Sequence, residues 1–341
     1  MILDNNNYNK DIKVGILGAG GWGCALACVL ADNQIPVTIW AFEQETVADI
    51  NNNHRNSVYL PNAELSPSIK ATNSFDDLND CDIIIISTPT QHIRSIVAQC
   101  KDLIKSKKII NVSKGIEIGT MYRISEILEE VCEMDINNYA VLTGPSHAEE
   151  VARKKVATVV TASQDLSFAQ EIQTLFSNKY FRVYTSSDII GCEIGGALKN
   201  VIAVATGIVD GGKYGDNAKA AIFTRGLVEM SRLAMAMGAN YNTLFGLSGI
   251  GDLFVTCAST LSRNWQVGNK IGQNIPLEEI MGKTKMVAEG VHSTRSAYQL
   301  SQKYNIDMPI ITQMFHVLFE GRSPDVAVGE LMGRRHKSEW I

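Results

Sequence analysis

The chain of 341 residues is 45% hydrophobic and 20% charged, the balance of a soluble protein whose core needs no disulfide or metal staple. Its formal net charge of −5 argues against nucleic acid or an anionic membrane as the main partner, so any anion must be held by a few local cations. Seven scattered cysteines without a C-x-x-C pair read as reduced thiols, with no metal site expected.

The length predicts about two domains. The uncharged run 14–31 follows Lys10 and Lys13, but the glycines of "GAGGWG" break its apolar core and Asp4 and Asp11 precede it. Neither a secretory signal nor a membrane span is expected, and the chain is expected in the cytoplasm. Apolar runs of strand length fall at 12–17, 36–41, 82–87, 108–113, 139–143 and 181–186, with 157–162 a further candidate. Several are apolar throughout, as strands covered on both faces are. Helical patterns lie between them at 22–32, 43–52, 90–104, 121–133 and 165–177. That alternation predicts a mainly parallel sheet with right-handed crossovers. Past residue 187 the strand signal fades, and helices are expected at 188–209, 217–237, 277–282, 290–304, 308–320 and 324–332. The expected division is an α/β dinucleotide-binding domain over 1–186 and an all-helical domain over 187–341. The basic tail "GRRHK" at 333–337 reads as a solvated end.

"VGILGAGGWGCALA" sets Gly18, Gly20 and Gly23 in G-x-G-x-x-G spacing, after one expected strand and at the start of one expected helix. The first glycine permits the tight turn, the second lets a pyrophosphate approach the backbone, and the third lets helix pack on strand. Free N–H groups and the positive end of the helix dipole then face the phosphates. Twenty residues beyond Gly23, after the next strand, stands Glu43. An acid there accepts hydrogen bonds from the ribose hydroxyls of NAD and repels the 2′-phosphate of NADP, so NAD is the expected cofactor, with NADP possible. Phe42 either packs on the adenine or joins the core, and Trp22 either covers the cofactor or seals the helix start. In "STPTQ" (87–91), Pro89 ends a strand, and Gln91 either reaches the cofactor or belongs to a plain strand-to-helix turn.

"EIGGALKNVIAVATGI" (193–208) is apolar except for Lys199 and its neighbours, and a buried lysine is costly. Gly195 and Gly196, one turn before it, are poor helix formers, and they suggest space opened for a ligand. Lys199 then touches that ligand, with Asn200 as a second polar group; the alternative is a structural lysine that snorkels to solvent. Lys114 lies past a strand end in "NVSKGIE". Gly144, Pro145 and Ser146 lie past another in "LTGPSHAEEVA", with Ser146 a candidate N-cap and His147 either a base or a helix-surface residue. Asp252 follows a Gly-rich turn, and Arg263 and Asn264 come eleven and twelve residues later, the guanidinium fork suiting phosphate oxygens.

At these residues the chain resembles a known family. "GAGGWGCALA", "NVSKGIE", "GPSHAEEVA", "GCEIGGALKNVIAVATGIVDGG", "TRGLVEMSRL", "GIGDLFVTC", "SRNW" and "VAEGVHST" together look like NAD(P)-dependent glycerol-3-phosphate dehydrogenase, in order, from about residue 12 to 335. The resemblance implies a Rossmann-type N-terminal domain, a helical C-terminal domain and a homodimer. It also implies interconversion of dihydroxyacetone phosphate and sn-glycerol 3-phosphate, a small phosphorylated substrate that feeds phospholipid synthesis. By motif position, Lys199 matches the catalytic lysine, and Lys114, Asn200, Asp252 and Thr256 match residues around the carbonyl and hydroxyls. Gly144 and Ser146 match substrate contacts. Ser262, Arg263 and Asn264 match the phosphate end, with Arg263 also near the cofactor. Gly21, Trp22, Ala148, Val287 and Glu289 match cofactor contacts, and Lys114 reaches both ligands. "WAFEQE" resembles the NAD-using eukaryotic branch, and "STPTQ" departs from the commoner "VPSQ" while keeping Pro89 and Gln91. Dehydrogenases of 3-hydroxyacids or 6-phosphogluconate share the layout, and a non-catalytic NAD-binding sensor would need only the glycine fingerprint.

Overall fold

The computed structural model describes residues 12–282, 288–336, 338 and 339. Its strands are β1 (Val14–Leu17), β2 (Val37–Trp40), β3 (Ile69–Thr72), β4 (Ile83–Ile86), β5 (Lys108–Asn111), β6 (Tyr139–Thr143), β7 (Ala157–Ser163) and β8 (Phe181–Ser186). They form one sheet in the order β3-β2-β1-β4-β5-β6-β7-β8. The helices among them are α1 (Gly21–Asp32), α2 (Gln44–Ala48), α3 (Thr90–Val97), α4 (Lys101–Ser106), α5 (Ile124–Cys132), α6 (Ala148–Ala152) and α7 (Leu166–Phe176). Both faces of the sheet are covered, which explains the unbroken isoleucines of β4. Ile83 and Ile85 enter one core, Ile84 and Ile86 the other. The strand order reverses between β1 and β4, so a crevice for ligands opens beyond their carboxyl ends.

The described elements after Ser186 are helical: α8 (Ile189–Gly211), α9 (Asp216–Ala236), α10 (Tyr241–Leu244), α11 (Asp252–Ala258), α12 (Arg263–Gly272), α13 (Leu277–Gly282), α14 (Glu289–Lys303), α15 (Pro309–Phe319) and α16 (Pro324–Met332). The hub is α8, capped by Asp188, whose carboxylate accepts from Gly191 N at 2.8 Å. It is long and apolar enough to cross a membrane, yet 94% of that stretch is buried inside the protein, so its apolarity serves a core. Ile189 and Cys192 pack with the sheet, and from Ile194 onward the helix fills the helical core. One rigid element therefore joins both halves.

The mostly parallel sheet has one reversal, and it decides where α8 begins. β7 runs antiparallel to β6 (Ala140 opposite Ser163), and β8 runs parallel to β7 (Ala162 opposite Ser186). The chain thus leaves β8 at the edge where β6 starts, and α8 climbs back along the sheet. The buried carboxylate of Glu193 anchors that climb. It accepts from Tyr139 Oη (2.6 Å), Ser125 N (2.9 Å), Ser125 Oγ (2.7 Å) and Arg123 Nη1 (2.8 Å). Six residues later, about 9 Å along the helix, Lys199 arrives at the carboxyl ends of the strands.

Several elements depart from expectation. β3 was not expected, and neither were α10, α11 and α12, which structure the stretch 241–272; α6 starts one residue later than a cap at Ser146 would place it. The helix expected over 90–104 is broken by a 3-10 turn at Ala98–Cys100. The one expected over 43–52 becomes α2 followed by a π turn at Asp49–Asn53. All seven cysteines are buried and unpaired.

Candidate functional site

The dinucleotide half is built on backbone. Gly18 leaves β1 with φ +117°, and a Cβ there would lie 2.6 Å from Ser87 O, so only glycine makes this turn. Gly20 is the opposite case. A Cβ on it would meet nothing nearer than Ser87 O at 4.0 Å, so its bare side faces open space where a phosphate can approach. It is also the N-cap of α1 and has no side chain to cap the first N–H groups. Asn56 Nδ2 holds the loop from behind by donating to Ala19 O at 2.7 Å. Gly21 lies against Tyr59 O and Ala148, and Gly23 against Gly18 O. Trp22 packs against the sheet core while its buried Nε1 has no partner among the described residues, an orphan donor on the loop itself.

At the far end of the crevice Phe42 is 81% exposed, so it does not join the core. Exposed Glu43 accepts from Tyr59 Oη at 2.8 Å, which fixes the carboxylate in place. Asn56 and Tyr59 were missed by sequence reasoning, because their partners lie 16 to 37 residues away. The Gln91 amide bridges Ile116 O (3.0 Å) and Ile118 N (3.0 Å), a brace between the start of α3 and the loop after β5. Glu289 accepts from Thr90 N at 2.9 Å, tying α14 to the β4–α3 turn. Its Oε2 is sealed without a partner among the described residues, and burial pushes its carboxyl up to about 7 despite the Thr90 N–H and the Arg263 charge. Val287 lies outside the described residues.

The second half is built on charge. Asp252 sits between two ammonium groups, with Lys199 Nζ at 2.8 Å from Oδ1 and Lys114 Nζ at 2.6 Å from Oδ2. Lys199 also donates to Thr256 Oγ1 at 2.6 Å, and that hydroxyl passes its own hydrogen to Asp252 O at 2.6 Å. Lys114 reaches Gly144 O at 3.4 Å, and Thr143 Oγ1 donates to Asp252 Oδ2 at 3.4 Å. Burial, the largest influence, pushes the Lys199 ammonium down; Asp252 pushes back, Lys114 adds to the depression, and it settles at about 8. Burial also pushes the Asp252 carboxyl up, but the two lysines outweigh it and hold the carboxyl below its ordinary value. The lysine does not snorkel: its side chain is 7% exposed.

Gly195 and Gly196 do open space, but protein fills it. A Cβ on Gly195 would lie 2.7 Å from Ser248 O, and one on Gly196 3.4 Å from the Lys114 stem and from Thr143 Oγ1. The first contact seats a π turn, Leu247–Gly251, directly on α8, and that turn delivers Asp252 to Lys199.

The third cluster crosses α8 one turn later. Gly268 of α12 touches the Val204 carbonyl of α8, and the two backbones meet with no side chain between them. Asn264 Nδ2 therefore reaches Asn200 Oδ1 at 2.9 Å, while Asn264 Oδ1 accepts from Gly290 N at 2.9 Å. Asn200 Nδ2 turns back to Gly196 O at 3.3 Å. Ser262 Oγ caps α12 by accepting from Trp265 N at 3.3 Å. Half-buried Arg263 opens the same helix and has no hydrogen-bond partner among the described residues. Ser146 is not an N-cap: its Oγ donates to Gly144 O at 2.9 Å, and His147 holds the cap position of α6. His147 is half-buried rather than a surface residue. The site thus offers a bare-backbone anion cradle, a buried cation pair sharing one carboxylate, and a helix start whose guanidinium has no hydrogen-bond partner among the described residues.

Two family models match the chain: NAD-dependent glycerol-3-phosphate dehydrogenase N-terminus over residues 13–169, and the C-terminus of the same enzyme over residues 188–329. Glycerol-3-phosphate dehydrogenase (NAD(P)+) of Bacillus pumilus (strain SAFR-032) is 51% identical, covering 94% of this chain and 94% of its own. The Bacillus subtilis (strain 168) protein of the same description is 49% identical, with 96% of each chain covered. Among solved structures, glycerol-3-phosphate dehydrogenase from Coxiella burnetii superposes with a TM-score of 0.91 at 35% identity, over 95% of this chain and 100% of that one. A D-mandelate dehydrogenase complex with NADH, at 14% identity and a TM-score of 0.62, shares the fold, over 91% of this chain and 98% of that one.

Proposed function

The chain belongs to the NAD-dependent glycerol-3-phosphate dehydrogenase family, and we propose that it interconverts dihydroxyacetone phosphate and sn-glycerol 3-phosphate, with NAD preferred over NADP. The observation that carries the reading is the hydrogen-bond count of Lys199. An ammonium has three N–H groups, and Asp252 and Thr256 take two. The third remains for a substrate oxygen.

The glycine loop, the start of α1 and Glu43 fit a dinucleotide, since Gly20 leaves an open face and Glu43 is fixed for a ribose diol. A nicotinamide cofactor bound there supplies or accepts a hydride at the carbonyl carbon. The chain's own residues do the rest. As the ketone is reduced, negative charge grows on its oxygen, where the Lys199 N–H is already aimed and Asp252 holds it in line. Lys199 then gives up its proton to that oxygen. In the reverse direction neutral Lys199 takes the proton, which a value near 8 allows at physiological pH. Arg263, Asn264 and the start of α12 hold the phosphate, a remote anchor that aligns the carbonyl. Two lysines against one aspartate leave a net positive pocket, so an acidic protein holds an acidic substrate. We assign catalysis to the seam between 1–186 and 187–341, in a cytoplasmic homodimer that supplies glycerol 3-phosphate for glycerophospholipid synthesis.

The test is NADH and NADPH oxidation with dihydroxyacetone phosphate across pH 6–10. Ketone reduction needs protonated Lys199, so kcat/KM should fall as pH rises through about 8, whereas that of glycerol 3-phosphate oxidation should rise through the same region. Tight NADH binding without turnover of any ketone would leave a dinucleotide sensor instead.

A further inference from the structure

The stretch "NVSKGIE" ends in a carboxylate, Glu117, to which the chemistry above gives no role. Its place bears on Lys114. Residues 113–123, between β5 and α5, form neither helix nor strand. No regular element therefore fixes the Cα from which the Lys114 stem passes Gly196 to reach Asp252. Upstream, Ser113 Oγ donates to Thr88 O at 2.6 Å. Downstream, the Gln91 brace holds the backbone at Ile116 and Ile118, and Ser296 Oγ of α14 donates to Ile116 O at 3.3 Å.

Glu117 completes the downstream side. Its side chain is 9% exposed, and its carboxylate accepts from Arg94 Nε (2.8 Å) on Oε1, and from Arg94 Nη2 (2.9 Å) and Thr120 Oγ1 on Oε2. Its backbone closes the turn that follows, its N–H donating to Tyr122 O at 3.0 Å and its carbonyl accepting from Met121 N at 3.1 Å. Arg94 stands one turn after Gln91 on α3, and Glu130 of α5 orients it from the other side at 2.6 Å. A two-pronged guanidinium–carboxylate pair fixes direction as well as distance. A lysine stem is flexible, so where its ammonium rests depends on how firmly its backbone is held.

We propose that Glu117 and Arg94 are positioning residues that lock the loop carrying Lys114 and so keep that ammonium on Asp252, beside Lys199. The kinetic part of the inference rests on the reaction assigned above. The placement of Lys114 is felt at its neighbour. The titratable groups around the Lys199 ammonium are Asp252 and Cys257 of α11, Lys114, and His147 at the head of α6. Lys114 repels Lys199 and shares its counter-ion. A Lys114 that swings away removes one like charge and leaves Asp252 to Lys199 alone, so Lys199 keeps its proton to higher pH.

The test measures kcat/KM for dihydroxyacetone phosphate reduction across pH 6–10 in Glu117→Gln and Arg94→Gln. Each should lower kcat/KM by about tenfold and move the limb near 8 upward by about half a pH unit or more. Deleting the Glu117 charge acts directly in the opposite sense, so an upward shift in that variant reports the loop. Lys114→Met should move the limb the same way, and Glu117→Gln added to it should move it no further upward. Arg94→Lys keeps the charge without the fork and should recover only part of the loss. Carbon-13 NMR of the lysine Cε groups, with the Lys199 signal identified by its loss in Lys199→Arg, follows the same titration without turnover. A Lys199 titration unmoved in the soluble variants overturns the inference even where kcat/KM falls, and so does a further upward shift in the double variant. If the unaltered enzyme binds NADH and reduces no ketone, the assigned function fails, and the NMR titration still decides the positioning role.

Discussion

The two halves of the site are made by different means. The cofactor half centres on one contiguous stretch, Gly18 to Gly23, where backbone does the work: a turn only glycine makes, and N–H groups that need only be left uncovered; Glu43 after β2 adds one carboxylate. The substrate half gathers Lys114 and Gly144 from just past two strands, Asp252 and Arg263 from two helix starts and Lys199 from the middle of α8, and its work is done by side-chain charge. A local motif tolerates change elsewhere in the fold. A charge cluster depends on every element that delivers a member, and α8 delivers the central one.

The sharpest way to break the comparison is Lys199→Ala. If the charge half drives the chemistry alone, kcat should fall by about a thousandfold or more while NADH affinity, a property of the glycine loop, holds. Comparable losses in both would mean that the halves are not separable. Next in size is Glu193→Ala. It strips four hydrogen bonds from the base of α8 and leaves the half-buried Arg123 guanidinium with Glu126 as its remaining carboxylate partner. A destabilisation of about 2–3 kcal/mol is expected from the buried partners left unsatisfied, visible as a lowered Tm. An unchanged Tm would show that α8 is placed by apolar packing alone. The smallest effect belongs to the cofactor half. Glu43→Ser should narrow the NADH-to-NADPH ratio of kcat/KM by about tenfold through loss of one like charge, with the ketone's KM unmoved. A ratio that stays put would place the selection elsewhere, on Phe42 or the Tyr59 segment.

Much of this was legible beforehand, and unevenly. The strands of the sheet stood out because covering on both faces demands apolar runs such as Ile83–Ile86. Only β3 escaped, since "IKAT" alternates and sits at the sheet's edge. The helices of 241–272 escaped because α10 and α11 span only four and seven residues, and all three pack against α8. Gly268 reads as a helix weakener until α8 is seen to lie against it. Ser146 looked like a cap because Ser, Thr, Asp and Asn usually are, but Gly144 O takes its hydroxyl.

By itself the sequence determined whatever repeats along the chain or sits within one turn of itself: the strand–helix rhythm, the glycine loop, an acid after β2, and a lysine out of place in an apolar helix. Tertiary structure alone decided what that lysine meets. The reversal at β7, the anchor at Glu193 and the π turn seated on Gly195 bring Asp252 and Lys114 to within 3 Å of one another's charges. Residues 114, 199 and 252 are too far apart along the chain for any local pattern to predict it. Coulomb interaction depends on distance in space and on the water excluded from it, and only the packed chain sets either.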